Sequence, residues 1–185
     1  MSLRSVEIRS DRRALDVLLP GATVATGLMA GFFYAYACSV MVGLARTDDR
    51  TFITTMQWIN ATVRNAAFAP AFFGSLVLTA AAAVLALRQR RRSAGWVLAA
   101  AGLYAAAFLV TLVLNVPLNF QLADAGPADR IRDLAAVRAA FEGPSVRWNL
   151  VRAGLSTAAL FALAVALLRD RGMPAAVARA RESAG

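Results

Sequence analysis

The sequence contains no histidine, no lysine and a single cysteine, Cys38, among its 185 residues. One cysteine cannot form an intrachain disulfide or a two-cysteine redox centre. The usual zinc, haem and non-haem iron sites depend on histidine or on paired cysteines, so none of them can be assembled here in the ordinary way. The composition therefore predicts a protein without a bound cofactor of these kinds.

Charged residues are also scarce, at 17% of the chain, whereas hydrophobic residues make up 59% and the mean hydropathy is +0.56. A soluble domain usually carries about a quarter charged residues. The apolar residues form four runs, each of which reaches the length that a bilayer requires, at about residues 17–44, 66–87, 94–118 and 150–168. None of the runs alternates like a strand, so the predicted fold class is all-α, an integral membrane four-helix bundle.

The arginines predict how this bundle is oriented. We expect one membrane domain at residues 15–169, between solvated tails at 1–14 and 170–185. Both tails and the basic turn RQRRRS at 88–93 fall on one side, which holds 12 of the 20 arginines. The positive-inside rule then predicts a plasma-membrane protein with both termini in the cytoplasm. The net charge of +9 is attributed to membrane flanks, so the membrane is an expected partner and nucleic acid is not.

The two outer loops both show helical spacing and predict short amphipathic helices. In the loop at 45–65, Gln57, Asn60 and Arg64 form a polar stripe beside an apolar one. This pattern is typical of a helix that lies across the outer end of a bundle. On periodicity alone, such a helix needs no chemical role. The loop at 119–149 carries a similar helical pattern.

The third run ends in two asparagines, Asn115 and Asn119, with Pro117 between them. An amide in or near an apolar segment is costly unless it is hydrogen-bonded. Pro117 cannot donate to the carbonyl of Val113, so we expect the helix to bend or end there. Two interpretations follow: the asparagines cap a helix that has reached the interface, or they line a polar pocket.

The fourth run opens with Trp148, Asn149 and Arg152 on one side of a helix. An arginine inside a span usually faces the bundle interior and pairs with another group, and the alternative is that it snorkels to the headgroups. Pairing of Arg152 with Asp133 or Glu142 would indicate a structural role. An inward Arg152 without a carboxylate partner would favour a ligand anion.

The first run adds aromatic residues at the same outer end. Gly27 and Gly31 form a GxxxG pattern. Tyr34 and Tyr36 are both candidates for interior donors, and Tyr34 is preferred because it continues the glycine face. Three separated segments thus direct amides, an arginine and aromatic rings to one level of the bundle. Together they predict a pocket near the outer leaflet.

Four stretches resemble a small four-span membrane family that includes the anthrone oxygenases: GLMAGFFYAYACSVM, TTMQWINATVRNAAF, NVPLNFQL and RWNLVRAGLSTAA. The resemblance covers about residues 20–168. The sequence departs from the family where a proline is frequent, since Val42 follows Met41 and Ala66 follows Asn65. These departures leave the identity of the substrate open.

The resemblance implies an oxygenase for anthrone-like aromatic molecules that uses neither metal nor flavin. It implies that Arg152 stabilises an enolate with help from Asn115 and Asn119. The other implied residues contact the substrate by hydrogen bonds, by charge or by ring stacking: Asn149, Trp148, Asn60, Gln57, Arg64, Tyr34 and Phe68. The general base stays open between Asp133, Glu142, a tyrosinate and water.

A second interpretation is a non-catalytic membrane protein that binds a lipid, a quinone or a partner subunit. The polar residues would then serve to fix the helices against one another. Transport is less favoured, because no carboxylate lies inside a predicted span. In either case the expected partner is a hydrophobic small molecule or a lipid, and assembly into a homo-oligomer stays open.

Overall fold

Helices account for nearly the whole chain in a computed structural model, which describes the backbone of residues 3–182 and the side chains of residues 14–170. No strand occurs within that backbone, so the predicted all-α class is confirmed. Two helices contain a π-turn, a single wider turn with i→i+5 hydrogen bonds. In chain order the elements are α1 (Leu3–Ala35), a π-turn (Tyr36–Val40), α2 (Met41–Leu44), α3 (Asp49–Thr62), α4 (Phe68–Arg88), α5 (Ala94–Val110), a second π-turn (Thr111–Asn115), α6 (Val116–Asp124), a 3-10 turn (Ala128–Arg130) and α7 (Leu134–Glu182).

Four helical segments have the length and apolar composition of membrane spans, which makes the chain a multi-pass membrane protein. They are Ala14–Leu44, Phe68–Arg88, Ala94–Asp124 and Leu134–Asp170. The third span extends beyond its predicted end at 118, and the fourth begins well before its predicted start at 150. The side chains of the predicted tails, at 1–14 and 170–185, lie almost entirely outside the described residues.

The four spans form a ring in which α1 and α5 each pack against both α4 and α7. Alanine dominates the contacts at the end of the bundle away from α3. Small side chains there let the helix backbones approach closely. Close van der Waals packing of this kind stabilises helix pairs in a membrane, because lipid leaves no hydrophobic driving force between helices. The buried alanines of this core are Ala22, Ala82, Ala83, Ala86, Ala100, Ala159, Ala162 and Ala166.

Aromatic rings form a layer in the middle of the bundle. The ring of Phe72 lies between those of Phe68 and Phe108, with centroids 5.4 and 4.8 Å away. The Tyr104 hydroxyl donates to the Phe72 carbonyl at 2.9 Å. Offset aromatic contacts of this kind add stability beyond the area that they bury. This layer holds α4 and α5 together directly below the polar end of the bundle.

Helix α3 is the amphipathic helix predicted for the first loop, and it packs on protein. Its apolar residues Phe52, Ile53 and Met56 are fully buried against α6 and α7. Asp48 caps the helix by accepting from the Thr51 N–H at 3.0 Å and the Thr51 hydroxyl at 2.7 Å, and these bonds lower the pKa of the Asp48 carboxyl. The end of the bundle that α3 covers is called the α3 end below.

The third span does not stop at Pro117. The π-turn Thr111–Asn115 precedes the proline directly, and the Val116 N–H donates to the Thr111 carbonyl across it. A π-turn adds one residue to a helical turn and lets a helix accommodate a proline while it keeps its backbone bonds. The helix then continues as α6 to Asp124. The helical pattern predicted in the second loop therefore belongs to α6 and to the first turns of α7.

Arg138 on α7 fastens the α3 end. Its guanidinium donates to Glu142 at 2.7 Å and Asp49 at 3.0 Å, and to the carbonyls of Thr47 at 2.8 Å and Ala45 at 3.1 Å. The same group lies 4.5 Å above the ring of Phe52. One side chain thus joins α7 to the segment that leads into α3. A further ion pair, Arg50 with Asp129, connects α3 to the 3-10 turn.

We expect Arg138→Met to lower the free energy of unfolding by about 2 kcal/mol or more, because hydrogen bonds to charged groups are worth about 1.5–3 kcal/mol each. Thermal unfolding of the purified protein in one detergent measures this. The matched control is Arg147→Met, which changes an exposed arginine of the same helix. Equal midpoints for the two variants would show that the Arg138 contacts do not hold α3.

Candidate functional site

A stripe of polar residues follows α7 at helical spacing. Ser145, Asn149, Arg152 and Ser156 are separated by four, three and four positions, so they share one face. Ser145, Asn149 and Ser156 are at most 4% exposed, which shows that this face points into the bundle. Arg152 is therefore directed inward, within a segment long and apolar enough to span.

The guanidinium of Arg152 has few partners. Its Nη2 donates to Asn149 Oδ1 at 3.0 Å, and its central carbon lies 4.5 Å above the ring of Phe33. Its Nε is buried and has no hydrogen-bond partner among the described residues. A buried cation is costly unless it is paired and hydrogen-bonded. Neither the ring nor the amide supplies a compensating negative charge.

The two carboxylates considered as partners of Arg152 are engaged elsewhere. Asp133 caps α7 by accepting from the Ala136 N–H at 2.9 Å. Glu142 pairs with Arg138. Among residues 14–170, no carboxylate lies within ion-pair distance of Arg152. By the criterion set out from the sequence, this arrangement favours a ligand anion over a structural salt bridge.

Asn149 holds Arg152 in place. Its side chain is 1% exposed, and its Nδ2 donates to the Phe33 carbonyl of α1 at 3.0 Å while its Oδ1 accepts from Arg152. Both ends of the amide are therefore used within the protein. In this arrangement Asn149, predicted to contact a substrate, connects the guanidinium of Arg152 to the backbone of α1.

Two further amides at this end carry unpaired polar atoms. Asn115, the last residue of the second π-turn, is 3% exposed, and its Oδ1 has no partner within the described part of the chain. The Nδ2 of Asn60, on α3, is likewise buried and unpartnered there. Asn119 lies one helical turn beyond Asn115 and is partly buried. A buried polar group without a partner costs about 1–3 kcal/mol, which a bound polar ligand would recover.

Tyr36, and not Tyr34, is the tyrosine at this site. Tyr34 is 64% exposed on the outside of the bundle. It follows the face of Gly31, where the structure leaves open space, so the GxxxG pattern was a poor guide to the interior. Tyr36 lies one turn after the buried Phe33, and its hydroxyl donates to the Met56 sulfur at 3.3 Å. Helical spacing from Phe33 was the signal that would have identified it.

The other predicted residues lie around the cluster. Phe68 contacts Phe32 at 5.2 Å and belongs to the aromatic layer. Trp148 is partly buried on α7. Arg64 is exposed and lies 5.9 Å above the ring of Phe120. The structure therefore does not bring Arg64 into the buried group around Arg152.

Gln57 completes the end of α6. Gly126 adopts a left-handed conformation with φ of +78°, and its N–H donates to the Ala123 carbonyl at 3.0 Å, as in a common helix-ending motif. In that motif the residue after the glycine donates its N–H to the Leu122 carbonyl. Here that residue is Pro127, which has no N–H. The Nε2 of Gln57 takes its place at 2.9 Å, and it also donates to the Gly126 carbonyl at 2.9 Å. This engagement gives Gln57, expected to bind substrate, a structural role.

A shallow apolar groove of about 770 Å³ lies on the outside of the bundle, between α5 and α7. It runs from Trp96 past Gly154 to Tyr34 and includes none of the inward polar residues. An apolar groove on a membrane span is ordinary lipid-facing surface. The chemistry of the site lies instead in the cluster at the α3 end, which we call the Arg152 site: Tyr36, Asn60, Asn115, Asn149 and Arg152.

The fold and this site define a four-span membrane protein whose inward arginine has no carboxylate partner among residues 14–170. The profile of the anthrone oxygenase family matches residues 65–162, slightly more than half of the chain. The chain therefore belongs to the anthrone oxygenase family, and the resemblance seen in the sequence is confirmed. The match includes Asn115, Asn149 and Arg152, whereas Tyr36 and α3 precede it. No curated protein and no solved structure matches the chain.

We expect Gln57→Leu to loosen the end of α6, because it leaves the carbonyls of Leu122 and Gly126 without their donor. Hydrogen exchange of the backbone amides at 116–126 should be faster than in the unmodified protein. The control is Gln121→Leu, the same change at an exposed position of α6. If both variants exchange alike, Gln57 is free to act on a ligand.

Proposed function

We propose that this protein is an oxidoreductase of the anthrone oxygenase type, which uses O₂ to oxidise an anthrone-like or other hydroxylated aromatic molecule at the Arg152 site. The observation that carries the proposal is the inward guanidinium of Arg152, which has no carboxylate partner among the described residues. Membership of the anthrone oxygenase family supports the choice of chemistry.

The proposed reaction converts an anthrone and O₂ into an anthraquinone and water. The methylene carbon of the anthrone loses a proton and leaves an electron-rich enolate. This enolate passes one electron to O₂, and the two radicals combine at the same carbon. The resulting peroxide anion takes up one proton, which balances the proton lost in the first step, and the hydroperoxide then loses water and leaves a carbonyl. The ring system thus supplies the electrons, and the protein has to bind the rings, stabilise the anion and hold oxygen nearby.

Arg152 would stabilise the negative charge that develops on the enolate oxygen. Fixed donors aimed at a developing oxyanion typically contribute about 10²–10³ in rate, and more where water is excluded. Asn149 keeps the guanidinium in place from α1. Asn119 would donate an amide hydrogen to a ring oxygen. The Oδ1 of Asn115, which has no partner among the described residues, would accept from a ring hydroxyl. Asp133 and Glu142 already serve other groups, so the proposal assigns neither as the base.

A hydrophobic aromatic substrate partitions into the bilayer, which suits a site between membrane spans. We place the protein in the plasma membrane with both termini in the cytoplasm. The side with the termini holds 12 of the 20 arginines and five of the 11 acidic residues. The excess of charge on that side therefore comes from arginine, the residue that the positive-inside rule counts. The Arg152 site then lies toward the outer leaflet.

Cysteine labelling tests this orientation. With Cys38 replaced by serine, Arg92→Cys and Arg132→Cys each place one thiol on an exposed position at opposite ends of the bundle. In sealed right-side-out vesicles, an impermeant maleimide should label position 132, and position 92 should react after permeabilisation. The reverse pattern would place the Arg152 site at the cytoplasmic leaflet.

Oxygen uptake with emodin anthrone tests the activity. We expect the purified protein in detergent to consume oxygen well above the spontaneous rate of the anthrone. Arg152→Ala should lower kcat/KM by about 100-fold, the size of effect that the loss of one oxyanion donor produces. Arg152→Lys should recover only part of this loss, because an ammonium lacks the planar fork of donors. Asn119→Ala should lower the rate about tenfold.

The matched control is Arg147→Ala, which removes an exposed arginine of the same helix. It should retain the rate of the unmodified protein, and thermal unfolding should show that all variants are folded. If every variant matches the spontaneous rate, the catalytic proposal fails. The non-catalytic alternative would then predict a lipid or quinone that co-purifies with the protein and is lost in Arg152→Ala.

A further inference from the structure

Tyr36 occupies a special position in the first span. It is the first residue of the π-turn Tyr36–Val40, across which the Met41 N–H donates to the Tyr36 carbonyl. Such turns are rare, but a large share of them lie at functional sites, because the extra residue redirects the side chains that follow. This turn contacts α7, the helix that carries Arg152.

Phe32 and Phe33 link Tyr36 to Arg152. The ring of Tyr36 stacks on that of Phe32 with centroids 6.3 Å apart, and Phe32 meets Phe33 edge to face at 5.7 Å. The ring of Phe33 lies beneath the Arg152 guanidinium at 4.5 Å, and its carbonyl holds Asn149. Tyr36 and Arg152 also lie close enough to interact electrostatically. A phenol and a guanidinium thus lie against one pair of contacting rings, Phe32 and Phe33.

Among the described residues, the Tyr36 hydroxyl has only a weak partner. It donates to the thioether sulfur of Met56 at 3.3 Å, and a thioether is a poor acceptor compared with a carbonyl or a carboxylate. Tyr104, by contrast, donates to the Phe72 carbonyl. An oxyanion placed at the Arg152 site would be a much stronger acceptor for the Tyr36 proton than the sulfur is.

We propose that Tyr36 and Arg152 bind one oxyanion together: the Tyr36 hydroxyl leaves Met56 and donates to the ionised ring oxygen that Arg152 neutralises. The inference rests on the proposed function and narrows its substrate to planar aromatics that carry an ionisable hydroxyl or enol. No proton has to be transferred to Tyr36, which acts as a hydrogen-bond donor. The weak bond to Met56 keeps that donor oriented while the site is empty.

Emodin, a hydroxyanthraquinone, tests this without turnover, because its visible absorption shifts when it ionises. A cation and a donor that favour the anion lower the pH at which bound emodin ionises, relative to emodin in protein-free detergent. Tyr36→Phe should raise that midpoint by about one pH unit, equal to a tenfold loss of preference for the anion. Arg152→Ala should raise it by at least as much.

Tyr34→Phe is the matched control, since it removes the hydroxyl of a tyrosine that the structure places on the outer surface. Its midpoint should equal that of the unmodified protein. A Tyr36→Phe midpoint equal to that of the unmodified protein would overturn the inference. So would emodin that fails to bind, or that ionises as it does in detergent alone. Oxygen uptake is measured separately, so the proposed function can stand when this inference fails.

Met56→Leu provides a second route should Tyr36→Phe fail to fold. The change conserves volume at a fully buried position and removes the sulfur acceptor. The Tyr36 hydroxyl would then have only the ligand to bind, so bound emodin should ionise at a lower pH than in the unmodified protein. An unchanged midpoint would show that Tyr36 does not reach the anion.

Discussion

The arrangement of the α3 end depends on one charge, the guanidinium of Arg152 held inside a bundle of apolar helices. Asn149 connects it to the backbone of α1, and Phe33 offers the face of its ring, but among the described residues no negative charge lies beside it. Water solvates such a group far better than a ring and one amide do. The uncompensated charge therefore lowers the stability of the fold, and it supports the proposal that an anion binds beside Arg152.

The irregular turns of the helices lie at this same level. Tyr36 opens the first π-turn and Asn115 closes the second, and both turns contact α7. A break in a membrane helix would expose backbone groups that lipid cannot satisfy. A π-turn avoids that cost, because i→i+5 bonds remain across it, as from Met41 to Tyr36 and from Val116 to Thr111. The helices can thus redirect side chains toward the site while they continue through the membrane.

The sequence predicted the features that depend on local pattern, and it missed those that depend on distant contacts. Four apolar runs and the helical spacing of α3 were enough to predict the bundle, because span length and amphipathicity are properties of short stretches. The start of α7 was not predictable from hydropathy, since Arg138 is accommodated by Asp49, 89 residues earlier in the chain. The role of Gln57 depends in the same way on the end of α6. Tyr36 was ranked behind Tyr34 because Tyr34 follows the glycine face, but the structure leaves Tyr34 64% exposed.

Two arginines on one helix differ in how their charges are compensated. Arg138 donates to two carboxylates and two carbonyls and lies over a ring, so its charge is compensated and it serves to hold α3. Arg152, 14 residues later, donates to one amide and keeps a buried Nε without a partner in the described chain. If the second arginine existed only to fix helices, a partner like those of the first would stabilise it further. The two described carboxylates on α7, Glu142 and Asp170, lie ten residues before Arg152 and 18 residues after it, and neither forms an ion pair with it. This difference between the two arginines supports the proposal that an anion arrives with the ligand.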